Sequence, residues 1–342
     1  MRPSPLEVTR EQVLARRRQA TALDRRLAPG AASLRRAAWA GLQDSMPRGA
    51  LLSIHARLEG ATPSSFEDPS LVQLWGPRYS IFVVAACDRA IFSLGLLPDD
   101  PRGRARAERA ARVLRDQAGA GPVSLNEAGR AAGVHPNYFR YAAATGTVLL
   151  RWDGARRPTV WTVPAPEAEP AAARLELARR FLHVFGPATP QAFARWSGLG
   201  PRAAQAAFDA LAGALTRVVT PIGPSWLLAE DEPALREVDL PPAPARLLPS
   251  GDTFFLLQGA ERELLVPDSA RRAALWPTRV WPGALLVAGE VSGTWRRAGR
   301  VLTVTPWRRL STAERHAVDA EAQGLPLPDG GGEIAVRWEA PA

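Results

Sequence analysis

The stretch from Trp39 to Arg57 holds the residues whose types and spacing best suit chemistry: Gln43, Asp44 and Ser45 in a row, followed by Pro47 and Arg48. Pro47 presets φ for a first helical turn, and Asp44 or Ser45 can accept hydrogen bonds from the orphan N–H groups there. Leu51, Leu52, His55 and Leu58 then recur at helical spacing. An amide, a carboxylate and a hydroxyl thus stand at the N-terminal mouth of an amphipathic helix. Partial positive charge and free N–H donors make such a mouth suited to a phosphate or an oriented water. The plainer reading, in which these residues only start a helix, stays open at this point.

A second group of residues is arginine interleaved with aromatics. Arg151-Trp152, Trp295-Arg296-Arg297 and Trp307-Arg308-Arg309 set flat rings beside guanidinium groups, a combination suited to phosphate contact and base stacking. The chain has 342 residues, a net charge of +9 and pI ≈ 11.0. It contains no lysine, so every basic side chain other than histidine is arginine. Such a charge favours a polyanionic partner, most simply nucleic acid. The missing lysine excludes a P-loop and a lysine Schiff base. The histidines are far apart and form no H-x-x-x-H or H-x-E pattern, so no metal site and no cofactor is expected. Cys87 stands alone in an apolar run and no serine lies in G-x-S-x-G, which leaves no nucleophile signature.

A hydrophobic content of 46% with 23% charged residues describes a globular chain. The longest apolar run, residues 79 to 97, is interrupted by Asp88 and Arg89, whereas a spanning helix needs about 20 apolar residues in succession. With no apolar leader at the N-terminus, the expected location is the cytoplasm.

The elements that must position these residues recur in one order. Helices are predicted over residues 9–20, 31–40 and 47–58, followed by strands at 71–75 and 79–84 joined by Gly76-Pro77-Arg78. A helix at 104–116, a helix–glycine-turn–helix at 123–139 and a hairpin of 146–152 with 159–163 repeat that order. Residues 171–185, 189–198 and 201–211 with strands 215–220 and 225–228 repeat it again. Helices followed by a hairpin are the winged-helix arrangement. Residues 230–244 read as an acidic, proline-rich linker. Beyond it, strands are expected at 246–248, 253–257, 284–288, 292–295, 301–305 and 334–338, with a capped helix at 311–323 and a loop at 328–332. The fold class is therefore α+β: three tandem winged helix-turn-helix modules around a concave channel, then a small β-sheet or partly closed β-barrel. The expected divisions are 1–97, 98–166, 167–241 and 242–342.

Several segments carry a resemblance. Gly41 to Pro47 and His55 to Leu58, Val72 to Arg78, Leu247 to Asp252, and Pro282 to Arg296 resemble the winged-helix DNA-binding proteins of the AlkZ/YcaQ type. The resemblance spans roughly residues 5 to 340. It implies three tandem winged helices around a channel, and an activity that removes alkylated bases or unhooks crosslinks from DNA. It also implies a Gln-x-Gln or Gln-x-Asp motif with an apolar middle residue. Aligned through Pro47 and Arg57, the first position falls on Gln43, the second on Ser45 and the middle on Asp44, a departure at two of the three positions.

On that resemblance Gln43 positions a water, Asp44 or Ser45 assists, and Arg48 and Arg57 lie near phosphates or at the pocket wall. Arg78, Arg151, Trp152, Arg296 and Arg297 complete the expected DNA-binding set. The partner is duplex DNA, bound by a monomer without metal or membrane. Two functions follow: a monofunctional DNA glycosylase for alkylated or bulky bases, or a non-enzymatic DNA binder or transcription regulator. A channel for a small ligand or protein partner is a third reading.

Overall fold

The computed structural model describes residues 6–118, 121–154, 157–236, 243–327 and 332–341. It is a mixed α+β structure of helices and three sheets. The first part of the chain runs through strand β1 (Leu6–Glu7), helices α1 (Arg10–Ala20) and α2 (Ala31–Ala37), β2 (Leu42–Gln43), α3 (Gly49–Arg57), β3 (Leu71–Trp75) and β4 (Ile81–Ala85). Thr9 and Gln12 form a capping box at the start of α1. Two helices are shorter than the periodicity predicts. The second ends at Ala37 rather than residue 40, and the third begins at Gly49 rather than Pro47, because Arg48 takes a left-handed conformation at its mouth.

Next come α4 (Arg89–Ser93), α5 (Pro101–Ala118), β5 (Val123–Ser124), α6 (Leu125–Ala131), β6 (Val148–Arg151) and β7 (Thr159–Thr162). The segment from Pro136 to Thr145 is 3-10 rather than α-helical. The two hairpins are not separate. They join in one six-stranded sheet, β2-β4-β3-β6-β7-β5, where Gln73 of β3 faces Leu150 of β6.

The chain continues with α7 (Pro170–Phe185), α8 (Pro190–Ser197), α9 (Pro201–Ala210), β8 (Leu215–Thr220) and β9 (Gly223–Leu228). Thr189 caps α8, and Gly198, at φ +82°, ends it. The N-terminal β1 adds to this hairpin in parallel, so the first strand packs with elements more than 200 residues away. The expected linker starts as structure: α10 (Glu232–Arg236) is helical and Asp231 before it is buried, while residues 237–242 lie outside the described residues.

The C-terminal part holds β10 (Arg246–Leu248), α11 (Glu261–Leu265), α12 (Ser269–Leu275), β11 (Gly283–Val287), β12 (Glu290–Ala298), β13 (Val301–Pro306), α13 (Thr312–Gln323) and β14 (Ala335–Trp338). The strands form one five-stranded sheet in chain order. The strand expected at 253–257 is instead a 3-10 turn, because the Asp252 carboxylate accepts from the Phe254 N–H and bends the chain. The capping box of Ser311 and Glu314 is present. Of the predicted loop at 328–332, residues 328–331 are outside the described residues. The largest core joins Leu14, Phe82 and Phe92 to Phe181, Phe193 and Trp196 and on to Phe254 and Trp276.

Charge is organised inside this core as well as on the surface. On α1, Arg16 pairs with Asp231, Arg17 with Glu261 and Arg18 with Asp24, all of them buried or nearly so. Arg10 reaches Glu290 at 2.6 Å. One helix thereby fastens the β8–β9 hairpin to the C-terminal part. Arg57 of α3 is likewise internal, 1% exposed, with its two Nη atoms 2.7 and 2.8 Å from the Asp252 carboxylate oxygens. Ser53 donates to the same carboxylate at 2.7 Å. The positive charge read from the sequence is thus partly spent as internal cross-links, since arginine carries a fork of donors into the interior better than any other cation.

Removing one partner of a buried pair leaves an uncompensated charge. Asp252→Ala is therefore expected to lose about 3–5 kcal/mol of unfolding free energy. The double variant Arg57→Met/Asp252→Leu is expected to lose less. Denaturant midpoints measure both, and a single variant as stable as the double would contradict the pairing.

Candidate nucleic-acid interface

Gly41 opens the turn at φ +75°, with the Phe82 ring 2.9 Å from where a Cβ would stand, so glycine alone fits. Leu42 and Gln43 then pair with Val83 and Phe82 of β4. Strand alternation buries Leu42 and leaves Gln43 half-buried on the other face.

Asp44, proposed from sequence as an assisting group, turns inward and is 0% exposed. One oxygen accepts from the Ala50 N–H at 3.0 Å, in the first turn of α3; the other accepts from Gln73 Nε2 at 2.7 Å. Gln73 is itself held by Trp152, whose N–H donates to Gln73 Oε1 at 2.7 Å and whose carbonyl accepts from Nε2 at 3.2 Å. Asp44 caps the helix as its residue type foretold, but its side chain does not reach solvent or any substrate there. The carboxylate is a junction between α3, β3 and the β6–β7 hairpin. Burial pushes its pKa up to about 6, against the opposing pull of the Ala50 and Gln73 hydrogen bonds and the Arg151 and Arg48 charges.

Gln43 and Ser45 remain at the surface. Gln43 Nε2 donates to Ser45 Oγ at 3.0 Å, and Arg78 Nη2 lies 3.5 Å from Gln43 Oε1. Behind the amide stands Gly251, at φ +76°, where a Cβ would sit 3.2 Å from Gln43 Nε2. Gly251 therefore serves as a backstop that a larger residue would crowd. It is fixed in turn by its neighbour Asp252 and the Arg57 pair. Ser45 opens on a cleft of about 520 Å³ that is also lined by Arg78, Tyr79, Arg140, Trp152 and Arg157. Among the described residues no acidic side chain lines it.

Arg78 is held in a left-handed conformation, φ 55°, against the backbone of Gly198. Burial and the nearby Arg262 guanidinium hold its pKa below the ordinary arginine range. The remaining predicted contacts divide. Trp152 lines the cleft. Arg48 and Arg151 lie against the Phe66 ring, 5.9 and 4.8 Å from its centroid, and Arg151 also pairs with Glu67. Arg57, expected near phosphates, is sealed inside with Asp252. Arg296 and Arg297 are exposed on β12, bonded to the Val280 and Gly299 carbonyls, and line no part of this cleft. Residues not singled out from sequence are Gln73, Arg140, Arg157 and Gly251. Gln73 and Gly251 lay in segments that carry the resemblance, Val72–Arg78 and Leu247–Asp252, without a role of their own; Arg140 and Arg157 carried no signal. Among the described residues no group of histidine, cysteine, aspartate or glutamate could hold a metal ion, and no helix is long and apolar enough to cross a membrane.

The fold is similar to that of the DNA glycosylase AlkZ from Streptomyces sahachiroi: TM-score 0.77, 20% identity, covering 98% of this chain and 100% of that one. The family model described as DNA glycosylase AlkZ-like matches residues 34–326, and the chain belongs to that family. Curated proteins offer no match.

The raised pKa of Asp44 has a thermodynamic consequence. In the unfolded chain the carboxyl titrates near 3.8 and in the folded one near 6, so between these values the folded state holds more protons. Ionisation in place then costs stability as pH rises through that window, by about 3 kcal/mol in full. Asp44→Asn lacks this titration. Measured by denaturant unfolding, the wild type should lose stability relative to Asp44→Asn between pH 4 and 6, with a constant difference above pH 7. A difference that is flat from pH 4 to 7 would contradict the buried carboxylate.

Proposed function

We propose that this chain is a monofunctional DNA glycosylase acting on alkylated or bulky-adducted bases in duplex DNA. The observation that carries the reading is the placement of Gln43 and Ser45, hydrogen-bonded to each other, at the edge of a cleft walled by arginine and tryptophan. Excision of an alkylated base begins with a leaving group that is already activated. The protein must hold a water on the far side of the sugar and tolerate an oxocarbenium-like transition state. Gln43 Oε1 and the Ser45 hydroxyl supply the acceptor and donor for that water. Asp44 acts at one remove, by holding the turn and the Trp152 segment in register.

In this reading the recurring helices and hairpins are three winged-helix modules lining a channel, with divisions at 1–97, 98–166, 167–241 and 242–342. The β1–α1 segment straps the outer pieces together. Arg48, Arg78, Arg151 and Trp152 meet DNA beside the turn, and Arg296 and Arg297 meet it from the β12–β13 hairpin. Arg57 supports the turn from inside. The protein works as a monomer in the cytoplasm and needs no cofactor.

A second reading, a DNA binder without catalysis, is favoured by one specific feature: serine replaces glutamine or aspartate at the second motif position, and the nearby carboxylate is sealed. Release of free base from methylated duplex DNA separates the two. Gln43→Ala is expected to lower the excision rate about 10²-fold, the scale of a lost positioning group. Equal and negligible release by both proteins, with a footprint on one defined sequence, would establish the binder instead. Because the chain has no lysine for a Schiff base, the abasic product should stay uncut until alkali is added. Prompt strand scission, measured on a denaturing gel and persisting after the N-terminal amine is blocked, would contradict a monofunctional mechanism.

A further inference from the structure

Two guanidinium groups in the cleft are built in but not satisfied. The Nε atoms of Arg78 and Arg140 are both buried without a hydrogen-bond partner. Arg140 makes no side-chain hydrogen bond among the described residues, and the hydrogen bond of the Arg78 guanidinium is the 3.5 Å approach to Gln43 Oε1, at the limit of such a bond. Both line the same cleft as Ser45. Buried donors are almost always paired in folded proteins, so these unpaired Nε atoms show two guanidinium groups not fully committed to internal acceptors, and the cavity that both residues line, with no acid among its described lining residues, is where an acceptor can meet them. The acceptor must be anionic, since it faces two guanidinium groups, and planar forks of this kind suit a phosphate. The backbone holds the site ready: Arg78 is locked in its left-handed conformation against Gly198.

We propose that Arg78 and Arg140 form a seat for one phosphodiester of duplex DNA, and that its occupation withdraws Arg78 from Gln43. In the free protein Arg78 faces the very oxygen that a water would need. A phosphate at the seat gives the guanidinium a stronger acceptor and leaves Gln43 Oε1 open to water. It also neutralises a positive charge that would otherwise oppose positive charge developing on the sugar. The Gln43 water site is thus assembled only when the backbone of the substrate is in place. This deepens the glycosylase reading and rests on it for the role of the water, while the seat itself requires only DNA binding.

Two measurements test the seat without relying on base excision. In the first, inorganic phosphate is titrated into the intact protein carrying ¹⁵N-arginine, and the Nε–H signals of Arg78 and Arg140 are followed. Both should shift along one binding curve. In the second, a duplex with a stable abasic-site analogue carries a neutral methylphosphonate at each flanking position in turn. One position should weaken wild-type binding about tenfold, the scale of one lost charge-assisted contact. The same substitution should cost Arg78→Gln and Arg140→Gln less than about twofold, because the partner is already gone. The wild-type scan needs no variant, so a variant that fails to fold does not blunt the test. Unshifted Nε signals would overturn the seat. Shifted signals with no sensitive phosphate position would mean that the seat takes a free anion and not DNA, which also overturns the proposal. Failure of excision with both results positive would leave the seat standing and remove only the glycosylase reading.

Discussion

The site depends on one buried carboxylate being an acceptor at both oxygens. Asp44 receives the Ala50 N–H on one side and the Gln73 amide on the other, and Gln73 is turned the way it is because Trp152 donates to its carbonyl. The direction of every bond in this chain is fixed by the chemistry of its ends. An amide flip at Gln73 would set acceptor against acceptor at Asp44 and donor against donor at the Trp152 N–H. The start of α3, the middle of β3 and the end of β6 are therefore locked to one another, and the residues flanking Asp44 inherit that rigidity. Desolvating the carboxylate is costly, as its raised pKa records. That cost persists where three elements must hold a common register.

Arginine plays two opposed parts in this protein. On α1 and α3 it is an internal fastener, with Arg16, Arg17 and Arg57 paired to acids from distant parts of the chain. In the cleft it has no acidic partner among the described lining residues. The same side chain serves both ends because its charge is nearly independent of surroundings and its donors are fixed in a plane. Net charge alone cannot distinguish these uses. The distinction lies in whether an acidic partner has been brought alongside.

Membership of the AlkZ-like DNA glycosylase family rests on a match over residues 34–326, and the likeness to the Streptomyces enzyme extends over nearly the whole chain at 20% identity. In the turn, an aspartate occupies the middle position and is withdrawn into the protein, while a serine holds the position beside the glutamine. The glutamine keeps its surface placement through Gly251 on one side and Ser45 on the other. At its surface the turn presents an amide and a hydroxyl.

What the sequence determined by itself was local. Periodicity and the capped start of the 311–323 helix act within a few residues, so most helices and hairpins were legible, as was the placement of a helix just after Gln43-Asp44-Ser45. The same local reading mistook residues 253–257 for a strand, because the apolar run was visible and the capping role of Asp252 was not. Tertiary structure alone decided which way Asp44 points, that Arg57 is interior, and that Arg78 and Arg140 share a cleft. These facts depend on partners 195 residues apart for Arg57 and Asp252 and 79 apart for Gln73 and Trp152. No local pattern encodes such pairings. A carboxylate or a guanidinium has the same local preferences whether its partner is water or a residue from the far end of the chain, and only packing settles which it meets.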